Sequence, residues 1–131
     1  RAGMSLGETI KVLVADDTSV SRGLICNSLY EIGITNVDVC NSGDVAFVKA
    51  TREGFHLVIS DQNMPGMSGL ELLANLRSQK STARIGFILI SGAMSRDILS
   101  AAQKWGLNNF LTKPFDTVKM KTCVETVIGR L

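Results

Sequence analysis

Five times along this chain a short apolar run gives way to a longer stretch of helical periodicity. That alternation restricts the fold more than any other feature. Lys11-Val12-Leu13-Val14-Ala15, Val37-Asp38-Val39-Cys40, His56-Leu57-Val58-Ile59-Ser60, Phe87-Ile88-Leu89-Ile90 and the segment from Asn108 to Leu111 read as strands. Between them, Val20, Leu24, Ile25, Leu29 and Ile32 recur at helical spacing ahead of a stop at Gly33. Ser42 is placed to cap a helix carrying Val45, Ala46, Phe47 and Val48 that ends near Gly54. Leu70, Leu73 and Leu76 mark a third helix after Gly69. Ser95 opens a fourth, with Ile98, Leu99 and Ala102, closed near Gly106. Asp116 opens a fifth, carrying Met120, Val124, Val127, Ile128 and Leu131. Positions 12–14 and 57–59 are continuously apolar, as in strands covered on both faces. The pattern predicts an α/β fold with a doubly wound parallel sheet.

Size and composition narrow the function classes. A chain of 131 residues, 45% hydrophobic and 20% charged, suits one soluble globular domain with a core of its own. A net charge of +2 is too small for a primary nucleic-acid binder or a polybasic membrane anchor. No apolar run is long enough to span a membrane, and the start lacks a signal-peptide core. Cys26, Cys40 and Cys123 are odd in number and far apart, so neither a zinc ribbon nor a redox dithiol is indicated. They read as small core hydrophobes in a reduced compartment, the cytoplasm. His56 reads as a structural histidine and Trp105 as packing at the end of the fourth helix. Residues 1–9 read as an N-terminal extension, with Met4 as a natural start behind three added residues, and 10–131 as the domain.

In an open α/β sheet, ligands bind outside the carboxyl ends of the strands. There the sequence places Asp16 and Asp17 after the first strand, Asp61 after the third, Ser91 after the fourth and Lys113 after the fifth. Any one of these has a bland reading as a helix cap, a turn residue or a solvated lysine. Their joint arrival at one edge is the informative observation. Three carboxylates in one crevice repel, so a pKa rises or a cation neutralises them. Oxygen ligands without His or Cys point to Mg²⁺, which also grips phosphate oxygens. Lys113 suits a phosphoryl oxygen, and Ser91 adds a hydroxyl donor. Asp61, alone at the end of a hydrophobic strand, is the natural nucleophile in aspartyl-phosphate chemistry.

From about Ile10 to Leu131 the chain resembles the receiver domains of two-component response regulators, of the CheY-like chemotaxis kind. The matching motifs are Val14-Ala15-Asp16-Asp17, the run Val58 to Gly69 (VISDQNMPGMSG), Ile90-Ser91-Gly92-Ala93 and Leu111-Thr112-Lys113-Pro114-Phe115. The resemblance implies a flavodoxin-like five-stranded parallel sheet in the order 2-1-3-4-5, with five helices. It implies Asp61 as phosphoacceptor from a phosphohistidine on a sensor histidine kinase (CheA-like). It implies Mg²⁺ bound by Asp17, Asp61 and the Asn63 carbonyl, with Asp16 acting through water. Ser91 and Lys113 would meet the phosphoryl group, the Lys113-Pro114 bond would be cis, and Phe110 would be the aromatic switch. There are two departures. Phe110 lacks the hydroxyl of the frequent tyrosine, its other role being a core aromatic. Ala93 lacks the acid or amide that can orient a hydrolytic water, whereas Asn63 retains one.

The resulting expectation is a signalling protein that catalyses only its own phosphorylation and slow dephosphorylation. It would signal through the fourth helix, fifth strand and fifth helix, with Met94 to Lys104, Phe110, Lys119 and Lys121 as the readout. The downstream partner would be a flagellar motor switch protein, unless the chain serves as a phosphate sink. With no further domain after Leu131, a DNA-binding transcription factor is disfavoured. Two alternatives remain: an interaction module that ignores phosphate, and a Mg²⁺-dependent phosphatase with an aspartyl nucleophile. The haloacid-dehalogenase type of the latter needs Asp-x-Asp, which Asp16-Asp17-Thr18 does not supply.

Overall fold

A computed structural model describes residues 5–131. The reading of Met4 as a start preceded by three added residues lies outside the described residues. The elements run α1 (Leu6–Thr9), β1 (Val12–Ala15), α2 (Ser19–Glu31), β2 (Val37–Cys40), α3 (Gly43–Arg52), β3 (Leu57–Asp61), α4 (Gly69–Arg77), β4 (Gly86–Ser91), α5 (Arg96–Lys104), β5 (Asn109–Thr112) and α6 (Thr117–Ile128). The five strands form one all-parallel sheet in the order β2-β1-β3-β4-β5.

Alternation along the strands divides the core. Val12 and Val14 face a layer with Ile25 and Leu29 of α2 and Met120 and Val124 of α6. Leu13 and Ala15 face the other layer, with Ala46 of α3, Leu72, Leu73 and Leu76 of α4 and Ala102 of α5. Strands β1, β3 and β4 are buried on both faces, which is why they read as unbroken apolar runs. The edge strands β2 and β5 are only partly buried and carry Asp38 and Asn109.

Helix starts follow their caps. Ser42, Ser95 and Asp116 accept the backbone N–H of Val45, Ile98 and Lys119, and Ser68 forms a reciprocal capping box with Glu71. Gly33, at φ +90°, supplies the left-handed turn that ends α2.

Three details differ from the sequence reading. There are six helices, not five. Ser5 and Glu8 form a capping box that nucleates α1, and Gly7 is buried where a Cβ would collide with the Gly33 carbonyl oxygen. The sequence signal for so short a helix is only the Ser-x-x-Glu pair. The expected fourth and fifth helices are therefore α5 and α6. Val20 and Leu24 do not join the core, and remain 76% and 59% exposed. At 100° per residue they fall about 140° and 100° round α2 from Ile25, off the buried stripe. His56 accepts the Lys11 N–H at Nδ1, 2.9 Å away, which makes it structural as read. Trp105 caps the C-terminus of α5 and stays exposed.

All three cysteines are free thiols. Burial pushes the Cys123 thiol up to about 11 and raises Cys40 as well. No helix among the described residues is long and apolar enough to cross a membrane.

Candidate functional site

Register brings the polar strand ends together. Ala15 pairs with Ser60, so Asp16 and Asp61 emerge side by side where the strand order reverses between β1 and β3. Ser91 pairs with Thr112, which sets Lys113 just beyond Ser91, and the Lys113 N–H donates to the Ser91 carbonyl at 2.9 Å. The Lys113-Pro114 bond is cis.

One carboxylate oxygen from each of Asp16, Asp17 and Asp61 lies within 4.8 Å of the others. Lys113 Nζ bridges the cluster, 3.5 Å from Asp16 Oδ2 and 3.5 Å from Asp61 Oδ1. Asp61 is 7% exposed. Burial raises its pKa above the usual carboxylate value; Lys113 opposes that rise and Asp16 adds to it.

Asp16 is fully buried and heavily bonded. Its Oδ1 accepts the Thr18 N–H and hydroxyl at 3.0 and 3.2 Å, and its Oδ2 accepts the Ser21 hydroxyl. Its backbone carbonyl accepts Arg22 at 2.8 Å. Asp17, by contrast, is exposed and open to a ligand. The donor set suits a hard divalent ion: oxygens only, spread close to the about 4.2 Å that separates opposite ligands of an octahedral Mg²⁺. Because both Asp16 oxygens are already engaged, direct ligation falls more naturally to Asp17 and Asp61. Asn63 is exposed beside them, two residues beyond Asp61.

Ser91 is buried, and its Oγ accepts the Ala93 N–H at 3.0 Å, which leaves its hydroxyl proton free for another acceptor. Phe110 is 38% exposed on β5, so it is not a core aromatic. All the singled-out strand-end residues thus share one edge of the sheet, and Phe110 lies on the β5 surface beside it.

Sequence reasoning missed the residues that hold this cleft. Thr18, Ser21 and Arg22 fix Asp16; the readable signal was a run of hydroxyl residues two to five positions after an Asp, an Asx-turn pattern. Gln62 is buried, and its Oε1 accepts the Leu70 N–H at 2.8 Å, tying the Asp61 loop to α4. Gly69 packs so tightly there that a Cβ would sit 2.5 Å from the Asp61 carbonyl oxygen. Beside the cleft, a cavity of about 460 Å³ is lined by Val20, Leu24, Ser28, Lys113, Pro114 and Phe115, among others.

Comparison with known proteins gives the same reading. Residues 12–125 match the family model described as the response regulator receiver domain. A probable chemotaxis protein CheY of Rhizobium etli is 38% identical over 128 residues, covering 98% of this chain and 99% of its own length. Chemotaxis protein CheY-3 of Vibrio cholerae is 29% identical over 126 residues, with 96% and 97% of the two chains covered. The structure of Vibrio cholerae chemotaxis protein CheY4 superposes with a TM-score of 0.84 at 27% identity, over 92% of this chain and 99% of that one. With its doubly wound sheet, its acidic switch point and these relatives, this chain belongs to the response regulator receiver domain family.

Proposed function

We propose that the chain is a cytoplasmic phospho-accepting switch of chemotaxis, in which Asp61 takes a phosphoryl group from a phosphohistidine on a CheA-like kinase. The observation that carries this reading is the Lys113 ammonium held 3.5 Å from both Asp16 and Asp61 at the switch point of the sheet. An Asp61 carboxylate oxygen attacks phosphorus, the P–N bond to the donor histidine breaks, and neutral imidazole departs once protonated. Lys113 Nζ turns from the carboxylates to a phosphoryl oxygen, and the Ser91 hydroxyl donates to another. Asp17, Asp61 and the Asn63 carbonyl would hold Mg²⁺, with Asp16 acting through water, and the ion would supply charge neutralisation there. The apolar cavity between α2 and the Lys113–Phe115 loop continues directly from the cleft and shares Lys113 with it.

Phosphorylation replaces the single negative charge of the Asp61 carboxylate with an acyl phosphate carrying roughly −1.5 to −2 and three acceptor oxygens. Ser91 moves toward that charge, and Phe110 turns inward behind it. The α5–β5–α6 face, Met94 to Lys104 with Phe110, Lys119 and Lys121, then changes shape for a flagellar motor switch protein; a phosphate-sink role uses the same chemistry. Ala93 lacks an acid or amide that could orient a hydrolytic water, and Asn63 retains one.

The test is backbone NMR with Mg²⁺ and beryllofluoride. Resonances around Ser91 and Phe110 shift in the wild type and stay put in Asp61→Asn. A full shift in that variant removes Asp61 as the acceptor. A motor peptide bound equally with and without the mimic identifies a phosphate-blind module instead, and sustained turnover of phosphorylated substrates identifies a phosphatase.

A further inference from the structure

At the opposite end of the sheet lies a second, separate concavity of about 340 Å³, lined by Phe55, His56, Lys80, Ser81, Arg84 and Ile85. It sits at the amino ends of β3 and β4, about 15 Å along the strands from Asp61. We propose that this pocket binds a small organic phosphate monoester, of nucleoside-monophosphate size.

Its lining is rich in donors and contains no acid. Because the Lys11 N–H donates to His56 Nδ1, the neutral ring carries its proton on Nε2 and lines the pocket as a donor. The Ser81 hydroxyl and the Lys80 and Arg84 side chains complete the set. Neither cation takes part in an ion pair among the described residues, whereas nearby Lys11 is paired with Glu53. The two cations are therefore free for an anion, and a guanidinium with an ammonium suits a phosphate dianion.

The wall that presents them is rigid. The buried Thr82 hydroxyl donates to the Leu76 carbonyl at 2.6 Å, and Arg77 holds the Ala83 and Ile85 carbonyls at 3.0 and 2.7 Å. Phe55 and Ile85, both buried, give an apolar floor for an organic body. The volume lies at the lower end of small-ligand pockets, about 300–1,000 Å³, larger than phosphate alone needs.

Titration of the ¹⁵N-labelled full chain with AMP, at constant ionic strength, tests the proposal. The expected result is saturable shifts at His56, Ser81 and Arg84, with affinity reduced at least about tenfold in Lys80→Ala/Arg84→Ala, the size of one lost charge-assisted contact. Both side chains are exposed, and the variant's dispersed spectrum verifies its fold; each single variant serves as a second measurement. Adenosine and inorganic phosphate are the comparison arms, and both are expected to bind more weakly than AMP. Absence of saturable shifts, AMP affinity unchanged in the variants, or inorganic phosphate binding as tightly as AMP overturns the assignment.

Discussion

Replacing Asp61 by Asn should make the metal-free protein more stable at neutral pH, although the residue stands at the centre of the proposed chemistry. At an effective dielectric of about 20, Lys113 at 3.5 Å attracts the Asp61 carboxylate by about 5 kcal/mol, and Asp16 within 4.8 Å repels it by about 3.5 kcal/mol. Asp17 is exposed and solvent-screened, and adds about 1 kcal/mol of repulsion. These contributions nearly cancel, so the burial of the carboxylate decides the balance, at about 1–2 kcal/mol. Burial, reinforced by Asp16, lifts the folded-state pKa of Asp61 above its unfolded value. Its carboxyl therefore favours folding while protonated; that contribution is complete below about pH 4 and is lost as pH rises through the folded-state value. Asp61→Asn should thus raise Tm by roughly 4–8 °C at pH 7 in EDTA, and the difference should vanish near pH 3.5. Added Mg²⁺ should stabilise the wild type and leave the variant unchanged. Thermal denaturation followed by circular dichroism reads all of these. A variant less stable than wild type at pH 7 in EDTA, or one whose advantage persists undiminished at pH 3.5, would refute the reasoning.

Other substitutions probe other contacts. Lys113→Met removes the cation shared by Asp16 and Asp61, so Mg²⁺ should bind several-fold more tightly by calorimetric titration while phosphoryl transfer to the chain fails. Gly69→Ala drives a methyl against the Asp61 carbonyl and the Leu89 side chain and should cost about 1–3 kcal/mol in urea denaturation. Arg77→Met strips donors from the carbonyls of Ala83, Ile85, Trp105 and Gly106 and from the Asn108 side chain. It should cost about 2–4 kcal/mol and speed amide exchange in the 78–85 and 105–108 loops, as measured by hydrogen–deuterium exchange.

The cleft was legible because its residues are strand ends. In a parallel sheet, hydrophobic runs fix where strands stop, and register then carries Asp16, Asp61, Ser91 and Lys113 to one edge whatever the helices do. What holds those side chains was much less legible. Ser21 and Arg22 reach Asp16 only because α2 turns back beside β1, and Gln62 reaches Leu70 only because the Met64–Ser68 loop folds over the strand end. The helical spacing of Val20 and Leu24 misled, since periodicity shows that residues share a stripe but not which stripe the sheet covers.

By itself, the sequence determined the strand and helix alternation, the caps at Ser42, Ser95 and Asp116, and the set of groups at the functional edge. Those follow from local propensity and period, which need no knowledge of distant partners. Tertiary structure alone decided the sixth helix, the outward placement of Phe110, the apolar cavity beside Lys113 and the donor-lined pocket around His56. Each of these depends on contacts between segments tens of residues apart, and side-chain spacing along a chain carries no record of such contacts until the sheet has closed.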